Sequence, residues 1–330
     1  SFTTPPKLRL KTAVTVSMLI SNLSWSDPEP WKGLVPRTNA ALVGNPWSAD
    51  LWLVGGELTT YAGTKHLFDA WKYEAGAGEW KAINPGYTEA PEGLTAFPAN
   101  AAAVFEPSHE RVLMVGENLP SDVLLSFKPK QGTFEIVETE GSIPPEMTSM
   151  TLMLGPEPHI ITLSGIFMGT GYIYTLNLDA MKWSPVVTQG TGPTQSKYMA
   201  AGLNDQTVIT LSVQKDASLN FRSLDLNTQV WTDLGTIIPP TGIQKLVSFG
   251  FDEASEQGLI LLQDSDNQVK TWVADFKIPA LLPIEPWWPL EETGSAFVFH
   301  PELGAVSVGG RSQKGHTTSA TYSFEQICGP

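Results

Sequence analysis

One cysteine, Cys328, stands in the 330 residues, so neither an intrachain disulfide nor a zinc site built on paired Cys/His spacings is available. Basic residues are also few: 20 Lys and Arg against 34 Asp and Glu leave a formal charge of −14. A surface of that sign repels phosphate backbones and anionic lipid headgroups, which argues against nucleic-acid and membrane partners. No stretch reaches the ~18 consecutive apolar residues of a membrane-spanning helix. Helical periodicity is missing as well, which disfavours a Rossmann or α/β-barrel enzyme. Gly-x-Ser-x-Gly, Walker and His-Glu-x-x-His motifs do not occur, so an acyl-transfer nucleophile, a phosphate cradle and a zinc protease have no sequence support. The chain opens on Ser1 rather than Met, from which a removed leader or tag is expected.

What is present is core material and turns. Hydrophobic residues make up 42% of the chain, enough to exclude wholesale disorder, and 29 glycines with 26 prolines demand many reversals. The 11 tryptophans are numerous, and side chains of that kind line binding surfaces as well as cores. Asn22-Leu23-Ser24 is a single glycosylation sequon, a place for an N-glycan in a secreted or lumenal setting, which it leaves open.

Six short β-type runs recur, at 51–56, 112–116, 160–165, 208–212, 259–262 and 305–310. Aligned on Gly55, Gly116, Ser164, Ser212, Gln263 and Gly309, they step by 61, 48, 48, 51 and 46 residues, about one four-stranded propeller blade each. After each of the first four runs, two apolar or aromatic residues stand seven positions apart across a turn-like segment: Tyr73 and Trp80, Phe127 and Phe134, Leu176 and Trp183, Leu224 and Trp231. Each pair reads as a hairpin between the third and fourth strands of a blade. Strands of small or apolar residues precede five of the runs, at 39–43, 100–104, 198–202, 246–249 and 295–298, and suit the crowded centre of a ring.

Small strand, run ending in Gly-Gly, aromatic strand and Trp strand in that order resemble the kelch repeat of β-propellers. The resemblance implies an all-β, six-bladed, kelch-like propeller in which residues 1–330 form a single domain. Full Gly-Gly doublets stand only at Gly55-Gly56 and Gly309-Gly310, and the fifth unit loses the seven-residue pair to Pro279-Ala-Leu-Leu-Pro-Ile-Glu-Pro-Trp-Trp-Pro289. The chain stops before the Trp strand of its sixth unit, so a strand from the N-terminus, with Ala13–Ile20 the candidate, is expected to close the ring and leave no sheet edge bare. Trp80, Trp183 and Trp231 repeat with the fold and are assigned to the core.

Loops between second and third strands, and those between blades, open on one face, where function is free to vary. They are expected to bring Phe97, Tyr61, Met168, Tyr198, Trp287 and Trp288 toward one mouth, with Glu57, Lys65, His66, Lys215, Arg311 and His316 as polar partners. His109 and His300 read as turn residues, and Asp264-Ser-Asp266-Asn267 as a polar hairpin rather than a calcium loop, because it lacks the Gly and distal Glu of an EF-hand. The copper and iron chemistry of some kelch-type propellers needs Tyr/Cys/His or clustered carboxylate sets that are absent, so no metal and no other cofactor is expected.

Two functions follow. Stand-alone kelch-like propellers of fungal secondary metabolism, among them the hetero-Diels–Alderases of tropolone sesquiterpenoid biosynthesis, are similar in size and in lacking cofactor motifs. That resemblance implies a cofactor-free cyclase holding a small apolar terpenoid against a reactive diene. Orientation would supply much of the rate, with Lys65, His66, Lys215, Arg311 and His316 as hydrogen-bond donors to a diene carbonyl. Glu57, Tyr61, Met168, Tyr198, Trp287 and Trp288 would hold the substrate. The alternative is a propeller that binds a carbohydrate or a protein without catalysis.

Overall fold

A computed structural model describes residues 23–25, 29–30, 34–60, 62–83, 90–239, 242–253, 255–284, 296–300, 302–310 and 320–326. Every regular element among them is a β-strand, and the strands lie in six sheets arranged as a β-propeller. Five sheets are blades of consecutive antiparallel strands, where six such blades were expected. The first is Ala41–Gly44, Asp50–Thr60, Gly63–Glu74 and Glu79–Ala82; the second Ala99–Glu106, Arg111–Glu117, Val123–Lys128 and Thr133–Glu138. The third is Thr148–Leu154, Ile160–Phe167, Thr170–Asn177 and Lys182–Pro185; the fourth Ser196–Asn204, Thr207–Gln214, Leu219–Asp225 and Val230–Ile237. Ile243–Asp252, Gln257–Asp264, Val269–Asp275 and Ala280–Pro283 make the fifth. The remaining sheet joins Ala296–His300, Gly304–Val308 and Ala320–Gln326 to Leu23–Trp25 from the other end of the chain, and Glu29–Pro30 also pairs with Ala320–Gln326.

The first strands lie side by side in order, and Ala296–His300 contacts both Ile243–Asp252 and Ala41–Gly44, so the circle closes. Closure by a strand of the N-terminal region thus falls on Leu23–Trp25; Ala13–Ile20, expected in that place, lies outside the described residues.

The repeat signals translate directly into register. Tyr73 faces Trp80, Phe127 faces Phe134, Leu176 faces Trp183 and Leu224 faces Trp231 as cross-strand partners. The fifth blade corrects the sequence reading. Ala274 faces Leu281, also seven apart, so the hairpin persists and only its aromatic side chains are replaced. Thr148–Leu154 is a first strand that the small-residue pattern missed, because Met and Thr fill it instead.

Apolar clusters between neighbouring sheets form the core, built by the period-two alternation of each strand. Leu113 and Leu124 meet Ile161 and Leu163 between the second and third blades, and Leu211 and Phe221 meet Ile260 and Leu262 between the fourth and fifth. Trp80, Trp183 and Trp231 are all buried in these layers. The linker before the third blade runs parallel to its outer strand, where Ser142 N–H donates to the Trp183 carbonyl (3.0 Å) and Trp183 Nε1 donates to Thr139 Oγ1 (3.1 Å).

Glycine doublets mark where connecting chain crosses a blade. Gly55 has φ 62°, and a Cβ there would stand 2.0 Å from the ring of Phe97; Gly56 would meet the Thr38 carbonyl at 2.7 Å. Phe97 is therefore fully buried, edge-on to Phe68, and does not line the mouth as expected from its loop position.

Arg37 fastens the last sheet to the first. Its carbonyl accepts from Gly310 N–H (2.9 Å), while its fully buried guanidinium pairs in bidentate fashion with Asp69 (2.6 and 2.8 Å) and donates to the Gly55 carbonyl (2.9 Å). Trp71 Nε1 donates to the same carboxylate (2.8 Å). On the opposite face of the ring His300 is buried, not a turn residue at the surface. Its Nε2–H donates to the carbonyls of Asn45 (2.9 Å) and Ser48 (2.8 Å), and its Nδ1 accepts from Glu302 N–H (3.1 Å).

Trp183→Ala is expected to cost about 3–5 kcal/mol, as large core truncations do; a variant that unfolds in denaturant with the parent's midpoint would contradict its core role. Arg37→Met leaves a buried carboxylate unpaired and should cost about 3–5 kcal/mol, with Arg37→Met/Asp69→Leu recovering much of the loss. Denaturant curves of the three proteins test this, and a single variant as stable as the parent would show that the pair does not secure the seam.

Candidate functional site

The expected site residues that are described fall in two places on the loop face. Asp50–Thr60 and Gly63–Glu74, 11 and 12 residues long, form a tongue on the first blade, whereas the corresponding strands of the fourth blade have 8 and 7. On this tongue Glu57 and His66 are directly opposed, with His66 Nδ1 3.5 Å from Glu57 Oε1. The carboxylate is oriented from behind. Asn39, at φ 55°, donates to its Oε2 (3.1 Å), and both peptide groups of Glu57 and Thr38 hydrogen-bond each other at 2.8 Å. His66 is half-buried and its Nδ1 completes no hydrogen bond. Lys65 is exposed opposite Leu58, and strand alternation turns it to the other side of the tongue from His66.

Met168, Tyr198 and Lys215 belong to the third and fourth blades, which are not neighbours of the first. Met168 tops a tight turn at φ 50° and is 89% exposed; the next residue, Gly169, accepts from Ser196 N–H (3.0 Å). Tyr198 packs against the apolar layer between the fourth and fifth blades, opposite Val213. Lys215 lines an open cleft of about 360 Å³ together with Gln195, Gln214, Asp216, Asn220 and Arg222. Tyr61, Trp287, Trp288, Arg311 and His316 lie outside the described residues.

Sequence reading missed most of this cleft. Arg222 Nε donates to Asn220 Oδ1 (2.6 Å), its Nη2 pairs with Asp233 (3.2 Å), and its Nη1 donates to the Thr191 carbonyl. Asn220, itself buried, donates to Thr236 Oγ1 (3.0 Å), and Gln214 donates to Ser212 Oγ (2.7 Å) and Ser196 Oγ (3.3 Å). The available signal was the polar alternation Asn220, Arg222 along Leu219–Asp225, which a sequence alone reads as a solvent face.

Aspartates order the turns. Asp264 is buried and accepts from Asp266 N–H (2.9 Å) and Gln268 N–H (3.0 Å), with Lys270 Nζ 2.7 Å from its other oxygen, so the expected polar hairpin is formed. Burial pushes its pKa up, but the bonds from Lys270, Gln268 and Asp266 outweigh that and hold it below the ordinary 3.8. On the far face Glu106 is likewise held below its ordinary 4.5: burial raises it, while His109, Ser108 and Arg111 together prevail. Among the described residues no group of three or more His, Cys, Asp or Glu converges as a metal site.

Neither family models nor curated proteins match this chain. The class that the structure defines is the β-propeller.

Because the Asp264 carboxylate binds its proton more weakly in the folded state, its contribution is complete above the ordinary value of 3.8 and is lost as pH falls through the lower folded value. Asp264→Asn should therefore cost about 1.5–3 kcal/mol at neutral pH, the range for hydrogen bonds to a charged group. The gap from the parent should narrow in strong acid. Denaturant titrations at both pH values check this, and a gap independent of pH would refute the linkage.

Proposed function

We propose that the six sheets are the blades of a kelch-like propeller, closed by its N-terminal strand, which binds a small organic molecule on the loop face and promotes its cyclisation without a cofactor. The observation that carries this reading is the Glu57–His66 pair. A carboxylate oriented by Asn39 stands 3.5 Å from a half-buried imidazole at the base of a tongue that rises over the loop face. With both ring nitrogens protonated, Nδ1 faces the carboxylate and the second ring nitrogen is a donor for a developing oxyanion on a diene carbonyl. The kelch-type cyclases of terpenoid pathways, similar in size and cofactor-free, supply the reaction class. Binding without catalysis, of a carbohydrate or a protein, is the second reading, and the polar lining of the fourth-blade cleft favours its carbohydrate form.

The test is incubation of the chelator-treated protein with a reactive diene precursor and a terpene partner. Product is expected above the background rate and with its own stereochemistry, and His66→Ala is expected to slow it about tenfold or more, the loss typical of a positioned donor. Product at the background rate and with background stereochemistry would refute the cyclase.

A further inference from the structure

The layer between the third and fourth blades combines an apolar part with four buried hydroxyls. Its apolar part is made by Met153 and Ile173 against Ala201, Val208, Leu224 and Trp231. Thr162 and Ser164 alternate with Ile161 and Leu163, which pack toward the second blade, so their hydroxyls face the fourth. Thr210 and Ser212 alternate with Ile209 and Leu211, which pack toward the fifth blade, so they face the third. All four are buried, and the Thr162 and Ser164 hydroxyls have no hydrogen-bond partner. Buried hydroxyls left without a partner are uncommon and stabilise a polar molecule that reaches them. Toward the loop face the same side of the fourth blade carries Ser212, Gln214, Asn220 and Arg222, so the polar seam leads to the cleft.

We infer that this cleft is a binding site for a neutral polyhydroxylated molecule, a mono- or disaccharide. The inference rests on the second reading above. Three features of the cleft select that chemistry. Charges balance, since Arg222 is tied to Asp233 and Lys215 stands beside Asp216. Donors and acceptors alternate, because Gln195, Gln214 and Asn220 are amides that offer both, and each sugar hydroxyl both donates and accepts. Among the described residues no aromatic or aliphatic side chain lines the cleft, so a flat apolar ligand finds nothing there to cover. Much of the wall is already held in place: Asn220 by Arg222 and Thr236, Gln214 by Ser212 and Ser196, and Asp216 by Ser218 (2.7 Å). Little side-chain freedom is then lost on binding. Its volume of about 360 Å³ lies at the small end of ligand sites.

The experiment is calorimetric or saturation-transfer titration of the full chain with neutral hexoses and their disaccharides, glucuronate and an apolar terpene alcohol. Lys215→Ala and Thr194→Trp, both on the exposed rim, are titrated beside it, with melting curves to verify folding. A neutral sugar is expected to bind in preference to the other probes, with affinity insensitive to salt. Both variants should bind about tenfold or more weakly, or a loss of 1.4 kcal/mol or more, at unchanged melting temperature. Sugar binding that neither folded variant disturbs would overturn this site while leaving a carbohydrate-binding propeller standing. Binding of no sugar at all would overturn both. Preference for glucuronate, or affinity that collapses with salt, would overturn the neutral class, and preference for the terpene would return the cleft to the cyclase.

Discussion

The buried ion pair between Arg37 and Asp69 is the constraint on which the ring depends. A propeller made from one chain has a seam where the last sheet meets the first, and each sheet edge left there would be open to pairing with another molecule. Arg37 sits in that seam with its carbonyl bound by Gly310 and its guanidinium reaching Gly55 and Asp69 of the first blade. A fully desolvated charge is tolerated only when it is paired and hydrogen-bonded, and here the bidentate carboxylate and two carbonyls take four of the five guanidinium donors. The glycine doublets belong to the same device. At Gly309 a Cβ would stand 2.5 Å from the Arg37 carbonyl, so the seam closes only over a residue without one.

Closure also explains how the loop face is furnished. The chain that enters the first blade passes over the seam as Arg37 and then lays Thr38 and Asn39 along the tongue, where they bond the backbone and carboxylate of Glu57. The segment that secures the ring is thus the segment that orients the candidate catalytic pair. Across the ring, the fourth blade replaces apolar inter-sheet contacts with amides, hydroxyls and a pinned arginine. A layer of that kind contributes less to stability than a packed one and more to selective contact with a polar molecule.

The repeats were legible because a strand has period two and a hairpin a fixed return. Residues seven apart across a tight turn must face one another, and Tyr73–Trp80 through Leu224–Trp231 do. The same rule hid the fifth blade, where Ala274 and Leu281 keep the register but carry no aromatic signature. It also hid Thr148–Leu154, whose Met and Thr side chains fit the ring's centre as well as alanine does. In the candidate site, Glu57, His66 and Lys215 were legible as loop-face polar residues. Phe97 was misplaced there, since whether an aromatic residue near a loop turns inward depends on a neighbour such as Gly55 that makes room for it.

Sequence alone therefore determined the all-β architecture, the order of strands within each blade and the cross-strand pairs, because these follow from local periodicity and turn chemistry. Tertiary structure decided which polar residues are buried and what they meet. Asn220 and Arg222 alternate with apolar neighbours as solvent-facing residues do, and only the connection into the fourth blade, which brings Thr194 and Gln195 alongside, makes them the wall of a cleft. His300 reads as a turn residue in a linear chain, and Arg37 and Asp69 carry charges that ordinarily face water. They are buried because closing a ring brings residues more than 250 positions apart, as His300 and Asn45 are, into contact from which water is excluded.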